Sequence, residues 1–255
     1  MANLLEDSRH KVARAKQHAA DLERTIHSFL GMGYGMSTKP EVEDHVVKIV
    51  INFTLDKRKP KFISVVMEDV IHNLRAALDL AGYSIAIAAG KVNPRLTNFP
   101  FAPSAQQFEK SAIGFCRDLP DSVQNIFRAY KPYKGGNDLL WALNAISVGE
   151  KHKTITLLGA VFQRAAISGS GSTTAGIEII QDPVWDRSNN EIELARFSTE
   201  AEGGYNFGIS FSVVFDQVPV VGGKPIIPVL HSLIDMVEDI LGSLEAECHR
   251  LGYIA

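Results

Sequence analysis

The stretch from Phe62 to Ala89 holds no proline, and its apolar residues recur at helical spacing. One long helix at the centre of the fold is therefore expected there. Inside it, Leu74 to Gly90 is the most membrane-like run of the chain. It nevertheless contains Asp79 and falls short of the roughly 20 apolar residues that a spanning helix needs. A buried helix of a soluble protein is the expectation, with no membrane partner.

The same helix carries the most chemically suggestive pattern. At 100° per residue, Glu68, His72, Arg75 and Asp79 lie within about 60° of one another. They face away from Val70, Leu74, Ala77, Ala81 and Ile85. A carboxylate beside an imidazole supplies general acid and base groups, and an arginine can hold a phosphate or stabilise developing negative charge. His72 and Arg75 are therefore candidate catalytic residues, and Glu68, Asn73 and Asp79 candidate binding residues. The pattern is also that of an ordinary solvated helix face, whose neighbouring pairs contribute about a few tenths of a kcal/mol each. Burial beneath another element is what would make it a site.

A second cluster, Glu150-Lys151-His152-Lys153, closes a helix expected over residues 137–148. Cationic groups there complement the helix dipole, which is a sufficient structural reason for them. If that helix end meets the Arg75 stripe, His152 is a candidate proton donor, and Lys151 and Lys153 are candidate anion contacts.

Both ends of the chain read as amphipathic helices. Leu5, Val12, Ala15, Ala19, Leu22, Ile26 and Phe29 advance by threes and fours, interrupted at Ser8. A second seam runs through Leu230, Ile234, Val237, Leu241, Leu244, Cys248 and Leu251, started by Pro228. The two are expected to pack together, and the first could also pair between chains to give a homodimer. Shorter helices are expected over 104–113, 121–129 and 137–148, each with a polar cap.

Alternation takes over elsewhere, with a strand at Val47 to Phe53 and further strands at 154–162, 177–180, 191–197 and 205–215. The last is the clearest: Tyr205, Phe207, Ile209, Phe211, Val213 and Phe215 share one face. The expected fold class is therefore α+β, a helical core with the terminal helices packed together and a mostly antiparallel β-rich segment. The expected division is a core of 1–153 with 226–255, including the strand near 45–55, and a β-rich insertion over 154–225.

Among 255 residues, 45% are hydrophobic, which suits a globular protein with a substantial core. A formal net charge of -3 gives no global attraction to nucleic acid or anionic lipid, so an RNA or small phosphate ligand would have to be held locally. Cys116 and Cys248 lack disulfide-framework or zinc spacing and are expected to be reduced. The beginning of the chain does not resemble a secretory signal, and a cytoplasmic location is expected. No His-Glu-x-x-His pattern occurs, so no metal or other cofactor is expected. Gly31-x-Gly33-x-Gly35 follows a helix rather than a strand, and Pro225 removes a donor from Gly222-Gly223-Lys224, so neither is a phosphate loop.

His72-Asn73-Leu74-Arg75-Ala76-Ala77-Leu78-Asp79, then Phe99-Pro100-Phe101, Pro132-Tyr133 and Glu150-Lys151-His152-Lys153, occur in that order. In this the chain resembles a family of uncharacterised bacterial proteins with His-Asn-Leu-Arg-x-Ala-Leu-Asp-His and Asp-Lys-His-Arg segments. The helix is in turn similar to the arginine-x4-histidine motif of HEPN-type helical domains, several of which are metal-independent RNases. That resemblance implies an RNA- or nucleotide-directed nuclease using Arg75 with His72 or His152. Leu80, however, stands where that motif places its histidine. The leading expectation is therefore a binding or interaction module, with the nuclease as the alternative.

Overall fold

The computed structural model describes residues 4–32, 34–43, 46–55, 62–148, 160–169, 177–179, 185–186, 191–198, 205–215 and 218–254. The chain divides into two compact units, one formed by Met1–Arg24, Phe62–Thr156 and Phe215–Ala255, the other by Thr25–Lys61 and Leu157–Val214.

The first unit is built from α1 (Glu6–Met32, up to Arg24), α2 (Phe62–Ala88), α3 (Ala105–Phe115), α4 (Asp121–Ala129), α5 (Asp138–Val148) and α6 (Ile226–Arg250). Helix α2 packs against α5 and α6, and α6 also meets α4. Its apolar face is wide: Ile63, Met67, Val70, Ile71, Leu74, Ala77, Leu78, Ala81 and Ile85 are all buried. At about 1.5–3 kcal/mol for each large aliphatic side chain removed from water, this face contributes much of the unit's cohesion, together with the buried face of α6.

Local chemistry sets the helix boundaries. Ser104 Oγ accepts the Gln107 N–H at the start of α3, and Asn137 Oδ1 accepts the Leu140 N–H at the start of α5. The expected polar cap is missing from α4, whose N-cap is Pro120, with no side-chain bond. Helix α2 ends in a Schellman motif: Gly90 donates to Ile87 O and Lys91 to Ala86 O, with Gly90 at φ +84°.

Along the terminal seams Leu5 to Ile26 and Leu230 to Cys248 are buried, whereas the last members, Phe29 and Leu251, are half-buried. Arg9 pairs with Glu245, and Lys16 Nζ lies 2.7 Å from Glu238 Oε1, joining the two helices within one chain. The α1 face on which a homodimer was expected is therefore already covered.

The expected α+β class is corrected by this architecture: the protein is mostly helical. The first unit contains no sheet among its described residues. Alternation is a local property and forecasts strands, whereas fold class depends on which elements share a core. The strands belong to the second unit: β1 (Tyr34–Glu43), β2 (Val46–Leu55), β3 (Ala160–Gly169), β4 (Ile177–Ile179), β5 (Trp185–Asp186), β6 (Glu191–Ser198) and β7 (Tyr205–Val213). Their pairings are antiparallel, β2 lying between β1 and β6, and β3 pairing with β7. Strand β1, for which no strand is expected from the sequence, carries Gly35 and Pro40, residues that weaken a strand pattern.

Helix α6 is tied down at its last turn by a carboxylate sensitive to acid. Hydrogen bonds from Arg250, then from Ser122 of α4, hold Glu247 down to about 2 from its ordinary 4.5. A depressed folded-state value contributes stability that is present above the unfolded value and is lost as pH falls through the folded one. Glu247→Gln should therefore melt lower than wild type above about pH 5, and the gap should close between pH 4.5 and 2 in thermal denaturation followed by circular dichroism.

Candidate functional site

The stripe foreseen on α2 does not share one environment. Glu68 and His72 are exposed, whereas Arg75 and Asp79, one and two turns further on, are partly covered. The cover comes from two places. The segment after α2 returns across it, so that Phe99 and Phe101 are buried beside the helix, and α5 supplies Asn144.

Arg75 is engaged on several sides. Its Nη1 donates to Asn144 Oδ1, its guanidinium lies 4.6 Å from the centroid of the Phe101 ring, and its Nε stands 3.7 Å from Asp79 Oδ2. Asp79 Oδ1 in turn accepts the Phe99 N–H at 2.9 Å. Burial lowers the basicity of Arg75 against the opposing influence of Asp79. It also pushes the Asp79 carboxyl up, a rise held back by the Phe99 amide and then by Arg75. Both charges are therefore partly desolvated, and their mutual attraction chiefly offsets that cost. Arg75 Nε is buried without a hydrogen bond, its ion-pair distance to Asp79 being too long for one.

The aromatic segment extends the corner. The Phe99 ring packs in a tilted arrangement against Phe101, centroids 4.9 Å apart, and against Phe127 of α4, centroids 4.7 Å apart. Ala102 donates to Pro132 O at 3.1 Å and forms a parallel bridge with Tyr133, whose ring lies 5.3 Å from Phe108. The His-Asn-Leu-Arg, Phe-Pro-Phe and Pro-Tyr segments thus meet in space, joined by Arg75, Asp79, Phe101 and Ala102.

Other candidates fall elsewhere. Asn73 is buried and donates from Nδ2 to Asp69 O at 2.8 Å, a bond within its own helix. Glu150, Lys151, His152 and Lys153 lie outside the described residues. The chain matches no family model, curated protein or solved structure. Among the described residues no three His, Cys, Asp or Glu side chains are grouped to hold a metal ion, and no helix is long and apolar enough to cross a membrane. Cys116 and Cys248 are both buried, and burial pushes each thiol up to about 11, which keeps it protonated at neutral pH.

Asn144 and Phe101 are the partners that the helix pattern alone did not assign. Asn144 had a signal, being an isolated amide within Leu139-Leu140-Trp141-Ala142-Leu143-Asn144-Ala145-Ile146. A polar side chain so placed must find a partner when its helix is buried.

Proposed function

We propose that this protein is a cytoplasmic binding or interaction module and that the Arg75 stripe is a structural joint rather than a catalytic set. The observation supporting this is the occupation of Arg75: one face on Phe101, one nitrogen on Asn144, and a carboxylate beside Nε. An arginine that is to hold a transferring phosphate must present its donors outward. His72 stands on the exposed part of the stripe and is not among the groups that engage Arg75. A homodimer is not needed for this reading, since the α1 seam is covered within the chain.

The alternative, a HEPN-like RNase using Arg75 with His72 or His152, draws on the order of the motifs and on the unbonded Arg75 Nε. Incubation of the full chain with RNAs of varied sequence, with and without divalent metal, separates the two. No cleavage above buffer is expected, for wild type as for His72→Ala and His152→Ala. Turnover abolished by either substitution at unchanged melting temperature would establish the nuclease instead.

A further inference from the structure

Beyond the end of α2, residues 91–96 and the turn after α3 line an open cleft of about 420 Å3. Lys91, Val92, Asn93, Arg95, Arg117 and Asp118 contribute to its walls. The three cationic side chains are exposed, and among the described residues Asp118 is the only acidic one lining it. That carboxylate already has donors: Asp118 Oδ2 accepts the Arg95 N–H at 2.9 Å and the Leu96 N–H at 3.0 Å, while the Asp118 N–H donates to Leu96 O at 3.0 Å. These bonds clamp the two loops together and occupy one oxygen of the one negative group. Lys91, Arg95 and Arg117 consequently leave the cavity with a net positive charge.

Two further features matter. Val92 is 88% exposed, the most exposed large apolar side chain among the described residues, and it lines the same wall. Phe115, two residues before Arg117, is also exposed. Cations beside an apolar surface, in a space within the range of small-molecule sites, suit a ligand with an anionic end and a flat apolar end. Helix-dipole complementarity accounts for Lys91 and Arg117, close behind the ends of α2 and α3, but not for Arg95.

We infer that this cleft binds a phosphate-bearing ligand of mononucleotide size, with Lys91, Arg95 and Arg117 on the phosphate and Val92 against the apolar part. The site is distinct from the Arg75 corner and holds whether or not that corner is catalytic. A free nucleotide and a nucleotide within a single RNA strand present the same chemistry here.

Calorimetric titration of the full chain with pyrophosphate, adenosine monophosphate and a short single-stranded RNA tests it at low and at high salt. Saturable binding is expected that weakens with salt. Lys91→Gln with Arg117→Gln should reduce affinity at least about tenfold, and each alone about threefold to tenfold. Val92→Ser should weaken the nucleotide and leave pyrophosphate unchanged. Asp118→Asn keeps an acceptor for both amides while removing the competing charge, and should tighten pyrophosphate several-fold; a gain of affinity cannot come from misfolding. Tighter binding of the RNA than of the mononucleotide would identify a strand as the source of the phosphate, and the reverse a free nucleotide. Absence of saturable binding by all three probes, or equal binding by wild type and the double variant, overturns the inference.

Discussion

Replacing Gly82 with alanine should destabilise the protein by about 3 kcal/mol, although the same change in an exposed helix stabilises by about 1 kcal/mol. A Cβ on Gly82 would stand 2.0 Å from the Thr97 carbonyl oxygen and 3.2 Å from its carbon. Thr97 is buried, and two residues later Phe99 is hydrogen bonded to Asp79, so the backbone there has little room to retreat. The helix surface at Gly82 is thus the floor on which residues 97–101 lie, and that segment is what covers Arg75. Urea denaturation of Gly82→Ala against wild type measures the effect. An unchanged or raised midpoint would mean that the segment does not rest on α2.

Arg75→Ala should cost about 2 kcal/mol, whereas His72→Ala should stay within about 0.5 kcal/mol of wild type. Removing one partner of a fully buried pair costs about 3–5 kcal/mol. Arg75 and Asp79 retain 23% and 33% side-chain exposure, which justifies the smaller figure. Truncation leaves Asp79 partly desolvated without its cation, Asn144 without its donor and Phe101 without the group above its ring. Arg75→Lys should recover only part of the loss, because an ammonium cannot lie flat on the ring and bond Asn144 together. Equal, small effects at positions 72 and 75 in the same denaturation experiment would return the whole stripe to the status of a solvated face.

The difference between these two residues marks how far the sequence could be read. Helical periodicity placed α2, α4, α5 and α6 to within a few residues and grouped Glu68, His72, Arg75 and Asp79 on one side, because both are consequences of 3.6 residues per turn. It could not say that the stripe changes from exposed to covered between His72 and Arg75, because the cover arrives from Phe101 and Asn144, distant in the chain. Val70, Leu74, Ala77, Ala81 and Ile85 were correctly set on the opposite, buried face. Strand alternation was legible over Tyr205–Val213, yet it carried no information about how helices and strands divide between the two units, and the α+β class drawn from it did not survive. The cleft at Lys91 and Arg117 gave no periodic signal, since it is formed by two loops that a single carboxylate, Asp118, draws together.

The central claim is that Arg75 is spent inside the protein, and the side-chain Nε–H resonance of Arg75 in a nitrogen-proton correlation spectrum tests it most directly. The expected result is a signal protected from exchange with water and unmoved when pyrophosphate or RNA is added. Rapid exchange together with a saturable shift on adding either ligand would show that the guanidinium is open to a phosphate, and would contradict the structural role assigned to it.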